Sequence, residues 1–279
     1  MFFVKQGLSG PTIILIHGLG ASSFSWRETA TVLSSRFITF AVDLLGFGKS
    51  SAPSLFAFTA KAQADAVATF IGANSLLPPL ILIGHSMGGA VCLYLAQKPI
   101  AASLSKMVLI APLASPPTSA GASGLAALSA SAQAPSFDRF LAEQVLRVAY
   151  AKPARITPQQ INGYADGLSS ATQKEAFFKH SASLGEISFA PTEFSRISVK
   201  TFIVWGKDDK FLEQPPRGGQ RFAPGLVVVI QGVDLGRPDR RGCRRSGLCA
   251  KPIHHHHRDD SEGRDGQVDV EVGTHSKNR

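Results

Sequence analysis

Apolar residues along this chain fall into short unbroken runs separated by amphipathic stretches. Ile13–Ile16, Phe37–Val42, Leu80–Ile83, Lys106–Ile110, Lys200–Trp205 and Leu226–Ile230 are such runs. Runs of this length without alternation suit strands covered on both faces, as in a parallel sheet. Between the first of them, Trp26–Leu33, Lys61–Ile71 and Ala90–Gln97 carry their apolar residues at helical spacing. Met1–Val4 reads as a short opening strand. Strands alternating with helices imply right-handed crossovers, and hence a mostly parallel, doubly wound α/β sheet.

From Leu113 to about Arg196 the texture changes. Leu113–Pro135 is rich in Ala, Ser, Gly and Pro, and helical patterns follow at Phe137–Tyr150, Pro158–Gly167 and Ala171–Leu184. The pattern therefore divides the chain into a first core segment (1–112), an inserted helical lid (113–196), a second core segment (197–232) and a tail (233–279). Lids of this kind supply apolar substrate contacts and exclude water. His180, within the third helical pattern, is expected on an exposed helix face.

Composition narrows the class. The 279 residues, 44% of them hydrophobic, suffice for one large core. No apolar run approaches the ~20 residues of a membrane-spanning helix, and the opening MFFVKQGLSG does not read as a signal peptide, so the expectation is a cytoplasmic protein with no membrane span. Three cysteines make no disulfide framework, and Cys92 falls in the helix after Leu80–Ile83, where it packs as a small hydrophobe. The net charge of +9 is scattered up to Gln231, without a basic stripe or interleaved aromatics, so nucleic acid is not an expected partner.

Candidate chemistry centres on Leu80–Ala90, LILIGHSMGGA. Ser86 sits in a G-x-S-x-G phrase between a strand and a helix. Gly84 and Gly88 let the two backbones crowd, and the turn lifts the Ser86 hydroxyl above the sheet edge as a candidate nucleophile. The Gly-rich loop His17-Gly18-Leu19-Gly20 ends the Ile13–Ile16 strand. It can bring the Leu19 N–H beside that turn, and with the Met87 N–H at the helix start it would form an oxyanion hole. His17 is expected to brace the loop through a hydrogen bond. Asp43, at the head of DLLGFGKS, is expected to pair with local backbone N–H groups.

Four phrases in this order, HGLG at His17–Gly20, DLLGFGKS at Asp43–Ser50, GHSMGG at Gly84–Gly89 and WGKDD at Trp205–Asp209, carry a resemblance. From Thr12 to Gly232 the chain resembles the serine-nucleophile α/β-hydrolases of esterase and lipase type. The resemblance implies Ser86 as nucleophile, Leu19 and Met87 as oxyanion donors, and Asp209 as triad acid, with Asp208 the weaker candidate. His85 is expected to pack beneath the turn rather than act as base, since neighbours on a tight turn point different ways. The implied activity is hydrolysis of a carboxylic ester, thioester or lactone through an acyl-serine, on a small hydrophobic substrate and without a cofactor. Carbon–carbon bond hydrolysis, amide hydrolysis and perhydrolysis use similar turns and stay open.

One departure stands against the resemblance. Family members place a histidine after the last strand, in a phrase like G-x-G-H; here the phrase is Gly232-Val233-Asp234-Leu235. The family's closing amphipathic helix is missing too, and Gly236–Arg279 reads as disordered. A reading-frame shift or a fused sequence near Val233 would account for this, and a catalytically silent protein is the rival function. Cys243, Cys249 and His254–His257 match no common zinc spacing, so no metal site is expected.

Overall fold

The computed structural model describes residues 1–119, 123, 137–150, 152–206, 209, 212, 227–230 and 271–274. Its centre is an eight-stranded sheet: β1 (Phe2–Gln6), β2 (Thr12–Ile16), β3 (Ile38–Val42), β4 (Leu80–His85), β5 (Leu104–Ile110), β6 (Lys200–Trp205), β7 (Val227–Ile230) and β8 (Glu271–Thr274), in the order β7-β6-β5-β4-β2-β3-β1-β8. The pairings from β3 through β2, β4, β5 and β6 to β7 are parallel. β1 runs antiparallel to β3, and β8 antiparallel to β1. The fold is thus the mostly parallel α/β sheet that the sequence pattern predicts.

Both faces of the central strands are covered, which is why their sequences do not alternate. Ile14, Ile16, Val42, Leu80, Leu82, Met107 and Leu109 point into the larger core, against α2 (Ala60–Ala73) and α3 (Met87–Leu95). Their sequence neighbours Ile13, Leu15 and Ala41 face the other side and pack with Trp26 and with Ala30 of α1 (Arg27–Leu33). Ile81, Ile83 and Ile110 extend this second face but are only half-buried.

Between β5 and β6 the regular structure among the described residues is helical, with no strand; its α-helices include α4 (Phe137–Ala149), α5 (Pro158–Ala165), α6 (Ala171–Ser183) and the short α7 (Pro191–Phe194). Capping boxes start α5 and α6. The Thr157 hydroxyl accepts the Gln160 N–H at 3.2 Å while Gln160 Oε1 accepts the Thr157 N–H at 2.9 Å. Ser170 and Gln173 repeat the exchange at 3.1 and 2.9 Å. Each box satisfies two donors that a helix start leaves unpaired.

These helices rest on the loops at the carboxyl ends of β2 and β3. Gln173 Nε2 also donates to the Gly48 carbonyl, and the Gly48 N–H donates to Gly167 O at 3.2 Å. At Gly46 a Cβ would lie 2.5 Å from Ala176 Cβ, so the Asp43–Ser50 turn tolerates α6 only because that residue is glycine. Val227–Ile230 form the strand that their valines predict. Of the tail expected to be disordered, only Glu271–Thr274 are described, as β8; the sequence pattern gives no strand there. The remainder of 233–279, with Cys243, Cys249 and His254–His257, lies outside the described residues.

Candidate active site

Ser86 stands between the end of β4 and the start of α3 with φ 53° and ψ −121°, a conformation that costs a non-glycine residue ~1–3 kcal/mol. Hydrogen bonds from both sides hold it there. The Ser86 N–H donates to Ile110 O at 3.0 Å, and Ser86 O accepts the N–H groups of Gly89 at 2.8 Å and Leu113 at 3.0 Å. Neighbouring backbone must come very close. A Cβ on Gly84 would lie 2.4 Å from Gly88 O, and one on Gly88 would lie 2.3 Å from Ile16 O. Glycine at both positions is therefore what allows β2, β4 and α3 to converge under the serine.

The His17–Gly20 loop lies against this turn. A Cβ on Gly18 would be 3.1 Å from Ser86 Cβ and 3.3 Å from His85 Nδ1. Fully buried His17 braces the loop with both ring nitrogens: Nε2 accepts the Leu44 N–H at 3.0 Å, which leaves Nδ1 protonated to donate to Gly18 O at 2.8 Å. Burial pushes its pKa down, against the pull of the Asp43 charge. Asp43 is likewise buried, and its two carboxylate oxygens accept the N–H groups of Ser23 at 2.5 Å and Lys49 at 2.8 Å. It anchors two loops.

Two backbone N–H groups, on the residue after Gly18 and on the residue after Ser86, have no acceptor among the described residues. Neither the half-buried Leu19 nor the buried Met87 gives its N–H to any described residue. The Met87 N–H opens α3, whose first turn has no intrahelical acceptor to offer it and carries the positive end of the helix dipole. Asp209, half-buried just beyond β6, donates its N–H to Gly206 O at 3.2 Å and accepts the Leu212 N–H on Oδ1 at 3.1 Å. Asp208 lies outside the described residues.

His85 is exposed, not packed beneath the turn. The strand's alternation explains it: Gly84 faces α3, so His85 faces away from α3 and beside Gly18. Protein walls around its ring push the pKa down, while the charge of Asp209 pulls it up.

His180 is also placed differently from expectation. It is fully buried, stacked on Phe47 at 5.0 Å and edge-on to Phe58 at 5.5 Å. Its Nε2 meets Gln63 Nε2 at 2.9 Å, and buried Gln63 also accepts the Leu45 N–H at 3.1 Å and donates to Leu45 O at 2.7 Å. His180 and Gln63 thus tie α6 to the turn that His17 ties to the His17–Gly20 loop, a link that motif reading missed. Burial lowers the His180 pKa from 6.5 to about 4. The folded protein then binds fewer protons than the unfolded chain between those values, so stability is expected to fall as pH drops through that window. The loss by its lower end is on the order of 3 kcal/mol. Urea titrations from pH 7 to 4 check this, and His180→Phe should flatten the dependence.

Residues 11–232 match the alpha/beta hydrolase fold family. The chain belongs to that family. Relatives of this alpha/beta hydrolase include the protein phosphatase methylesterase 1 of Homo sapiens, 34% identical over 110 residues, which is 38% of this chain and 28% of that protein. The chain thus matches under a third of this curated relative's length. Among solved structures, an esterase from Exiguobacterium antarcticum superposes with a TM-score of 0.66 at 19% identity, covering 81% of this chain and 85% of that one. A meta-cleavage product hydrolase from Pseudomonas fluorescens gives 0.68 at 17% identity, covering 82% and 84%. At such identities the likeness is one of fold. The family match ends at Gly232, the residue after which the sequence departs from the family's pattern.

Proposed function

We propose that this alpha/beta hydrolase cleaves a small hydrophobic carboxylic ester, thioester or lactone through an acyl-Ser86 intermediate. The observation that carries the reading is a serine held at φ 53° against Gly18 of the His17–Gly20 loop, with the N–H groups of the next residues, Leu19 and Met87, given to no described acceptor. Attack by Ser86 Oγ on an acyl carbon places negative charge on the carbonyl oxygen. Each preorganised donor is worth ~3 kcal/mol of transition-state stabilisation at that oxygen. Asp209 acts as the acid that steadies a protonated base, and the helices between β5 and β6 serve as the lid over the acyl group. The methylesterase relative favours ester over carbon–carbon cleavage and perhydrolysis. Turnover is impaired, because the phrase that brings the family's histidine is absent.

The test is p-nitrophenyl butyrate hydrolysis with and without added imidazole. Turnover is expected to be slow, to rise with imidazole, and to vanish in Ser86→Ala. Hydrolysis that survives Ser86→Ala overturns the acyl-serine reading, and no turnover even with imidazole favours the silent-protein alternative.

A further inference from the structure

Three histidines precede Gly232: His17, His85 and His180. His17 uses both ring nitrogens to hold the oxyanion loop, and His180 lies buried between Phe47, Phe58 and Gln63. Of the three, only His85 is an exposed residue. Its Nδ1 and the Ser86 Cβ both lie within 3.3 Å of one point, the place a Gly18 Cβ would take. The His85 ring and the Ser86 side chain therefore both touch the same glycine of the His17–Gly20 loop, which bounds the distance between Nδ1 and Ser86 Cβ. Among the described residues no hydrogen bond engages the Ser86 hydroxyl or the His85 ring, so a rotation of either side chain breaks none.

We propose that His85 serves as the general base for Ser86, with Asp209 as its charge partner, in place of the histidine that the chain lacks. This rests on the acyl-serine reading above. Asp209 stands just beyond β6, whose neighbour β5 pairs with the strand that ends in His85, and its charge offsets part of the burial that lowers the His85 pKa. In the forward step the imidazole takes the Ser86 Oγ proton as Oγ bonds to the acyl carbon, and the carbonyl π pair moves onto oxygen. Collapse of that oxyanion expels the alkoxide, which takes the proton back from the imidazolium and leaves as the alcohol. A water molecule then repeats the cycle on the acyl-serine, giving the carboxylic acid and free Ser86. Apo geometry is often looser than the reacting geometry, and the rotation required is confined to two side chains.

A fluorophosphonate probe reads the activation of Ser86 directly. Oγ attacks phosphorus, fluoride leaves, and the hydroxyl proton passes to the base. The full chain should label at Ser86, by peptide mass, at a measurable rate. His85→Ala should slow labelling on the order of 10²–10⁴-fold, the usual contribution of a general base, and added imidazole should restore part of it. A variant with His254–His257 and His275 all changed to alanine should label like the parent. Parental labelling in His85→Ala, or loss in the tail variant, overturns the proposal. So does a His85→Ala defect that imidazole does not relieve, because that marks a structural role. If the parent labels only with imidazole present, His85 is not the base and the acyl-serine reading stands. If it labels under neither condition, both fail.

Discussion

Gly88→Ala is expected to lose ~3–5 kcal/mol of stability, enough to leave little folded protein at 37 °C. The added methyl would sit 2.3 Å from Ile16 O, 2.5 Å from His17 O and 2.8 Å from Ile16 C. All three are backbone atoms at the end of β2 and of the buried His17 that follows it, so no side chain can swing aside. Relief requires moving α3 away from β2, which opens the core around Ala90, Val91 and Met87. The comparison that isolates this cause is Gly72→Ala. Gly72 lies in α2, and a Cβ there would meet nothing within 4 Å. That variant should gain about 0.5–1 kcal/mol, the ordinary preference for alanine over glycine within a helix. Urea denaturation of the two variants side by side checks both signs. A Gly88→Ala protein as stable as its parent would mean that α3 is free to slide over the strand.

Replacing the chain from Val233 onward with a G-x-G-H phrase and an amphipathic helix is expected to raise p-nitrophenyl butyrate turnover by roughly 10²–10⁴-fold. Removing the histidine from a Ser-His-Asp unit costs on the order of 10⁶ in turnover, while a base of imperfect placement returns about 10²–10⁴ of it. The difference is what a histidine on the final strand's loop would recover. The gain should need Ser86 and Asp209 but no longer His85, so adding His85→Ala to the graft should cost little. A folded graft without a rate gain would mean that the base is not what limits this site.

The repeating elements were legible because burial on two faces leaves a plain mark. Leu80–Ile83, Lys200–Trp205 and Ala171–Leu184 match the observed elements to within a few residues. The candidate site was partly legible: the G-x-S-x-G phrase and the HGLG loop announce a crowded turn, and the structure brings Gly18 against Ser86. His180 was misplaced although a signal existed. Ala176, Phe177, His180, Ser183 and Leu184 form one helical stripe, and all five are buried. Polarity outweighed periodicity in that reading. Gln63 lies in the same way among Ala60, Ala64, Val67 and Ile71. Its partner, 117 residues away on α6, could not be read from spacing because the contact exists only after α6 docks on the Asp43–Ser50 turn. His85 was misjudged for a related reason: which side of a tight turn a side chain takes depends on the loop packed against it.

The inserted helices meet the loops after β2 and β3 at Gly20 and Gly46, both at positive φ, through Gln173 on the Gly48 carbonyl and through His180 stacked on Phe47. At Gly20 and Gly46 the fit is set by absent side chains. An inserted segment from another protein would fit this seat if it offered a small residue where Ala176 lies and flat rings where Phe177 and His180 lie. Gly20 and Gly46 are held to glycine by that same seat, so those two positions can change only together with the segment that rests on them.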